Sequence, residues 1–101
     1  GIVGCLGNHD YENPEKIAAI FEGVAGVTVL RNAGCAPVDG LRIAGIEDTW
    51  RGIPRPDRAV RGHRSGEGLI FLTHNPVGVK MVESRPALVL AGHTHGGQIR
   101  V

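Results

Sequence analysis

The sequence predicts a mixed α/β domain with some antiparallel pairing. Three observations predict it. Short apolar runs of strand character alternate with stretches of helical spacing. An Asp39-Gly40 pair lies between two such runs and is the strongest turn signal in the chain. Three of the apolar runs pass directly into loops carrying Asn or His, and in α/β sheets sites form where such loops converge, at the carboxyl ends of strands.

Each element has a local reason. Gly1 to Leu6 is short, apolar and stopped by Gly7-Asn8, which reads as a buried strand ending in a loop. Asn13-Pro14-Glu15 starts a helix: Asn13 can cap, Pro14 suits the first turn, and an acid favours that end. Ile17, Ala18, Ile20, Phe21 and Val24 make its apolar stripe, closed by Gly23 and Gly26. Val27 to Leu30 is a short β-branched strand. Cys35 to Val38 and Leu41 to Ile46 form the hairpin around Asp39-Gly40. Glu47 to Gly68 is the least regular stretch, with a short helix over Pro56 to Arg61. Leu69 to Leu72 and Ala87 to Ala91 are buried strands, with a brief helix over Val77 to Val82 between them. Ile99 to Val101 begins one more strand.

Composition bounds the function. At 101 residues the chain is one domain at most, or a piece of a larger one. Lys plus Arg is 11 against 10 for Asp plus Glu, a near-balance that argues against specific nucleic-acid binding. A 42% hydrophobic and 21% charged composition is that of a folded chain rather than a disordered one. The apolar runs are too short to span a membrane. Cys5 and Cys35 predict free thiols, Cys5 as a small apolar filler.

Chemistry concentrates in the three loops, Gly7-Asn8-His9-Asp10, Thr73-His74-Asn75-Pro76 and Gly92-His93-Thr94-His95. They hold four of the five histidines. Imidazole suits Zn, Fe and similar ions, and an amide oxygen suits a harder cation. His93 and His95 would face one side on an extended backbone, whereas a turn would let each serve a different ion. Singly, each histidine reads as a hydrogen-bonded structural residue, and Asn8-His9-Asp10 as turn chemistry. Together the loops point to a metal site.

These residues resemble the calcineurin-like metallophosphoesterases. Gly7-Asn8-His9-Asp10, the isolated His74 and Gly92-His93-Thr94-His95 match the family's later motifs in order. The longer Gly92-His93-Thr94-His95-Gly96-Gly97-Gln98, with Leu30-Arg31-Asn32 and Glu47-Asp48-Thr49-Trp50, looks like a bacterial branch whose members are often membrane-associated. The resemblance covers essentially the whole chain.

The resemblance implies part of a four-layer αββα sandwich with mixed sheets. It implies that residues 1–101 are the C-terminal part of a single domain. The family's Asp-x-His and Gly-Asp-x-x-Asp motifs are expected upstream, in keeping with a chain that opens without Met inside an apolar run. Asn8, His74 and His93 would hold one divalent ion and His95 a second, as Mn, Fe, Zn or Co. His9 would stabilise the leaving group or the phosphoryl oxygens, and Asp10 would orient His9. The implied reaction is hydrolysis of a phosphomonoester, phosphodiester or pyrophosphate, where two ions neutralise the phosphoryl oxygens and acidify a water. Implied partners are a phosphate-ester substrate and, from the branch, a membrane lipid or sugar-nucleotide pyrophosphate. The implied location is cytoplasmic or membrane-associated.

Other residues compete for attention. Arg51, Arg55, Arg58, Arg61 and Arg64 form a basic stretch, readable as a solvated irregular loop, an anionic-substrate clamp or a surface for anionic membranes. The solvated loop is the primary reading, with His63 facing solvent. Trp50 reads as core or a loop anchor rather than a substrate wall, and Glu47 and Asp48 as structural. The alternative to an enzyme is a non-catalytic metal-binding or interaction module, or an inactive remnant.

Overall fold

A computed structural model describes residues 1–97. The strand expected at Ile99 to Val101 and residue Gln98 lie outside them. Strands β1 (Ile2–Gly4) and β2 (Val27–Val29) pair in parallel. Between them runs helix α1 (Pro14–Glu22). A second sheet has the order β3-β4-β5-β6, from β3 (Ala33–Val38), β4 (Leu41–Gly45), β5 (Gly68–Thr73) and β6 (Leu88–Ala91). β3 and β4 are antiparallel around Asp39-Gly40, while β4, β5 and β6 run parallel. Helices with mixed sheets make this an α/β fold, as expected, and one compatible with a metallophosphoesterase sandwich.

The local signals act as their chemistry requires. The Asn13 side chain accepts the Lys16 N–H at 3.3 Å and Pro14 occupies the first turn of α1. The irregular stretch contains helix α2 (Pro56–Ala59), shorter than expected. Its Ala59 is fully buried with Ala44, Ile46, Leu69 and Phe71 in the core. Burying a side chain such as Phe71 or Leu69 stabilises by about 1.5–3 kcal/mol. The expected helix after β5 is a 3-10 helix, Pro76–Met81. Among the described residues no helix is long and apolar enough to cross a membrane.

α1 departs from expectation. Of its apolar stripe only Ala18 is buried, and Ile20, Phe21 and Val24 are more than half exposed. The pair β1-β2 is too narrow to cover the whole helix face.

Register places the loops. Gly45 lies opposite Leu72, and Thr73 opposite Ala91. The carboxyl ends of β4, β5 and β6 are therefore level at one sheet edge. β3 runs the other way, so its start at Ala33, opposite Gly45, is at the same edge, just after Arg31-Asn32. The end of β2 joins this edge through Leu30, which is buried against Gly45. A Cβ on Gly45 would come within 2.7 Å of the Leu30 Cβ, so only glycine allows that approach.

Candidate metal centre

The loop after β1 is closed by its own acid. Asp10 Oδ2 accepts the Gly7 N–H at 2.7 Å, and the Asp10 N–H donates to the Gly7 carbonyl at 3.0 Å. This corrects the expectation for Asp10: its carboxylate fixes the Gly7 turn, and no bond from it to the exposed His9 is formed among the described residues. The closed turn starts a 3-10 helix at Asn8. Gly7 itself touches the His74 ring, and a Cβ there would lie 2.9 Å from His74 Nδ1.

His74 is the hub. Its Nε2 lies 2.9 Å from Asn8 Oδ1 and 3.2 Å from His93 Nδ1. With the proton on Nε2, His74 donates toward both. Burial pushes the His74 pKa below its ordinary value, and His93 beside it pushes the same way. Neutral imidazole is thereby favoured, which is the form that ligates metals. The His74 and His93 rings meet edge to face at 5.1 Å. Beyond His93 stands Trp50, again edge to face, at 4.7 Å. The four side chains form a row of contacts in the order Asn8, His74, His93, Trp50.

The donor set fits a divalent ion. His74 Nε2 has an amide oxygen at 2.9 Å and a second imidazole nitrogen at 3.2 Å, donor types that divalent ions accept. Among the described residues no three His, Cys, Asp or Glu side chains form a metal-holding group. The convergence rests on Asn8 as the third donor.

Other expected site residues are placed differently. His9 and His95 are exposed and make no side-chain hydrogen bond to this trio. His93 and His95 have φ of 67° and 51°, so the extended form of His-x-His is overturned in favour of a turn. For non-glycine residues that backbone costs about 1–2 kcal/mol each. His63 faces its own loop rather than open solvent, with Nε2 at 2.9 Å from the Glu67 carbonyl. The five arginines are exposed. Their stretch is thus solvated, as read, but not wholly irregular: it holds α2, whose Ala59 is buried in the core, and Arg55 pairs with Asp57 at 2.9 Å. Cys5 and Cys35 are free thiols, partly buried. Burial pushes the Cys5 thiol up, and Asp48 adds to this.

Trp50 is a further correction. It is not core but 67% exposed, packed edge to face on His93 at the end of the row. The signal for it is in the sequence: Leu41 to Ile46 also runs into a polar loop, Glu47-Asp48-Thr49-Trp50. By the carboxyl-end rule this fourth loop joins the other three. Glu47 and Asp48 are structural, as read, and build that loop. Asp48, 1% exposed, accepts the Trp50 and Arg51 N–H groups at 2.9 and 2.8 Å. Glu47 holds Arg31 at 2.7 Å and accepts the Ile53 N–H at 3.2 Å.

Comparison with known proteins adds relatives. Phosphodiesterase YaeI of Escherichia coli is 36% identical over 104 residues, covering 96% of this chain and 37% of that protein. An uncharacterized metallophosphoesterase of Helicobacter pylori is 30% identical over 100 residues, 92% of this chain and 27% of its own. The uncharacterized protein YpbG of Bacillus subtilis is 33% identical over 105 residues, 98% of this chain and 40% of its own. The chain thus spans between about a quarter and two fifths of the length of these relatives. No family model and no solved structure matches it.

Proposed function

We propose that this chain, a member of the metallophosphoesterase superfamily by the relatives it matches, carries part of the hydrolytic site of a metal-dependent phosphoesterase. The observation that carries the reading is the convergence of Asn8 Oδ1, His74 Nε2 and His93 Nδ1. In this reading the three hold one divalent ion, and His95, on the adjoining turn, serves a second. The chemistry that bound divalent ions supply is neutralisation of phosphoryl oxygens and acidification of water. The name of the E. coli relative supports a phosphodiester as the first substrate class to test.

The chain's own residues divide the remaining work. Asn8 contributes a neutral oxygen, which keeps the site's net charge positive toward an anionic ester. Gly7 and Asp10 lock the turn that presents Asn8. Burial favours neutral His74, the form that ligates through Nε2 once its ring proton sits on Nδ1. In this reading His9, exposed and next to Asn8 in the chain, gives a proton or hydrogen bond to the departing oxygen. No carboxylate joins the trio among the described residues. Residues 1–101 alone are accordingly expected to bind metal weakly and turn over poorly.

The test is Mn-dependent hydrolysis of bis-p-nitrophenyl phosphate by the protein in its full natural length. His74→Ala should abolish activity together with bound metal. His9→Ala should lower kcat by about 10²–10⁴-fold with metal retained. An unsubstituted protein that loads metal but leaves the diester intact would overturn the enzyme reading in favour of a non-catalytic metal-binding module.

A further inference from the structure

We infer that Trp50 is a substrate-contacting specificity residue, whose exposed indole receives a flat aromatic ester group of a phosphodiester. The inference rests on the phosphoesterase reading and names a substrate feature that the reading leaves open.

The first observation is the cost of holding Trp50 where it is. A large aromatic side chain left 67% exposed forgoes most of its burial energy. The loop that presents it is nonetheless heavily fixed. Buried Asp48 spends its carboxylate on the Trp50 and Arg51 N–H groups. The Tyr11 hydroxyl accepts the Asp48 N–H at 3.0 Å. Asn32, at φ 51°, accepts the Glu47 and Arg55 N–H groups at 3.1 and 2.7 Å and donates to the Ile53 carbonyl at 2.8 Å. A buried carboxylate and a left-handed asparagine are costly devices. They are applied here to a segment whose most prominent side chain is not in the core. The fixed loop thereby holds an exposed indole in a set place beside His93.

The second observation is placement. The Trp50 ring stands at the far end of the donor row, edge to face with His93 at 4.7 Å. His9 adjoins the near end, beside Asn8. In this proposal the ester group retained on phosphorus lies toward Trp50, the aromatic neighbour of His93. An indole face takes up a flat ring by offset stacking, a geometry that rewards planar aromatic groups over small alkyl ones.

The test compares two diesters with the same leaving group. Bis-p-nitrophenyl phosphate retains an aromatic ester group after cleavage, and methyl p-nitrophenyl phosphate retains a methyl. In the full-length, metal-loaded protein, Trp50→Ala should lower kcat/KM for the aromatic diester about 10-fold more than for the methyl diester, mainly through KM. Trp50→Phe should restore most of that difference. Equal losses on both diesters, with or without loss of bound metal, would overturn the proposal and leave Trp50 as a support for His93. Unchanged kinetics on both would overturn it too. Absence of hydrolysis of either diester by the unsubstituted, metal-loaded protein overturns the underlying reading as well, so the two failures are told apart.

Discussion

Gly7 decides where the His74 ring can lie. Its missing Cβ is space that the ring occupies, at 2.9 Å from where that carbon would be. An alanine there must push the ring off, and the ring's Nε2 is what faces Asn8 and His93. Gly7→Ala is therefore expected to weaken Mn binding by about 10–100-fold, the usual effect of disturbing a residue behind a metal ligand. Calorimetric titration of the full-length protein checks this, and unchanged affinity would show that the ring relocates without cost. At this scale much was legible in the sequence. Asn8, His74 and His93 stand out because three apolar runs each pass directly into a loop carrying Asn or His. The packing need of Gly7 was not legible, because the ring that fills its space is 67 residues further along the chain. Nor was the left-handed backbone of His93 and His95: His-x-His spacing is equally compatible with a strand and a turn.

At the scale of elements, the fourth loop explains why Arg31-Asn32 and Glu47 to Trp50 belong together. β3 is antiparallel to β4, so the residues before the one and after the other meet at a single edge. Asn32 and Arg31 then reach the Glu47 segment directly. Asp48 is the buried pivot of this join. Asp48→Ala would leave the Trp50 and Arg51 N–H groups without their acceptor and is expected to cost about 1–3 kcal/mol. Urea unfolding should show it as a lower midpoint at unchanged slope, with Asp48→Asn closer to the natural protein because an amide oxygen still accepts. A midpoint unmoved by Asp48→Ala would mean that water replaces the carboxylate. The strands and the Asp39-Gly40 hairpin were readable from apolar runs and one turn pair, since both signals are local. The Glu47 to Gly68 stretch was not, because its order comes from side-chain bonds to distant backbone and from one buried alanine, Ala59.

For the whole molecule, the balance between covered and uncovered apolar surface sets the behaviour. The core is small: five fully buried side chains form its centre, from β4, β5, α2 and Ile46. Against that, Ile20 and Phe21 on α1, Ile2 on β1, and Leu88 and Leu90 on β6 are about half exposed or more. Among the described residues β1 and β6 are edge strands of their sheets. Exposed apolar faces beside open strand edges promote association. Residues 1–101 produced alone are thus expected to elute above monomer mass in size-exclusion chromatography with light scattering. The pair Ile20→Lys and Phe21→Glu should return much of that material to monomer without loss of far-ultraviolet dichroism. Both positions are solvent-facing on a helix, so the substitutions remove the sticky face and leave Ala18, the helix's buried contact, in place. A natural chain that runs as a monomer at high concentration would refute the argument. It would mean that the half-exposed side chains are too scattered to act as one surface, and that the small core suffices for residues 1–101 alone.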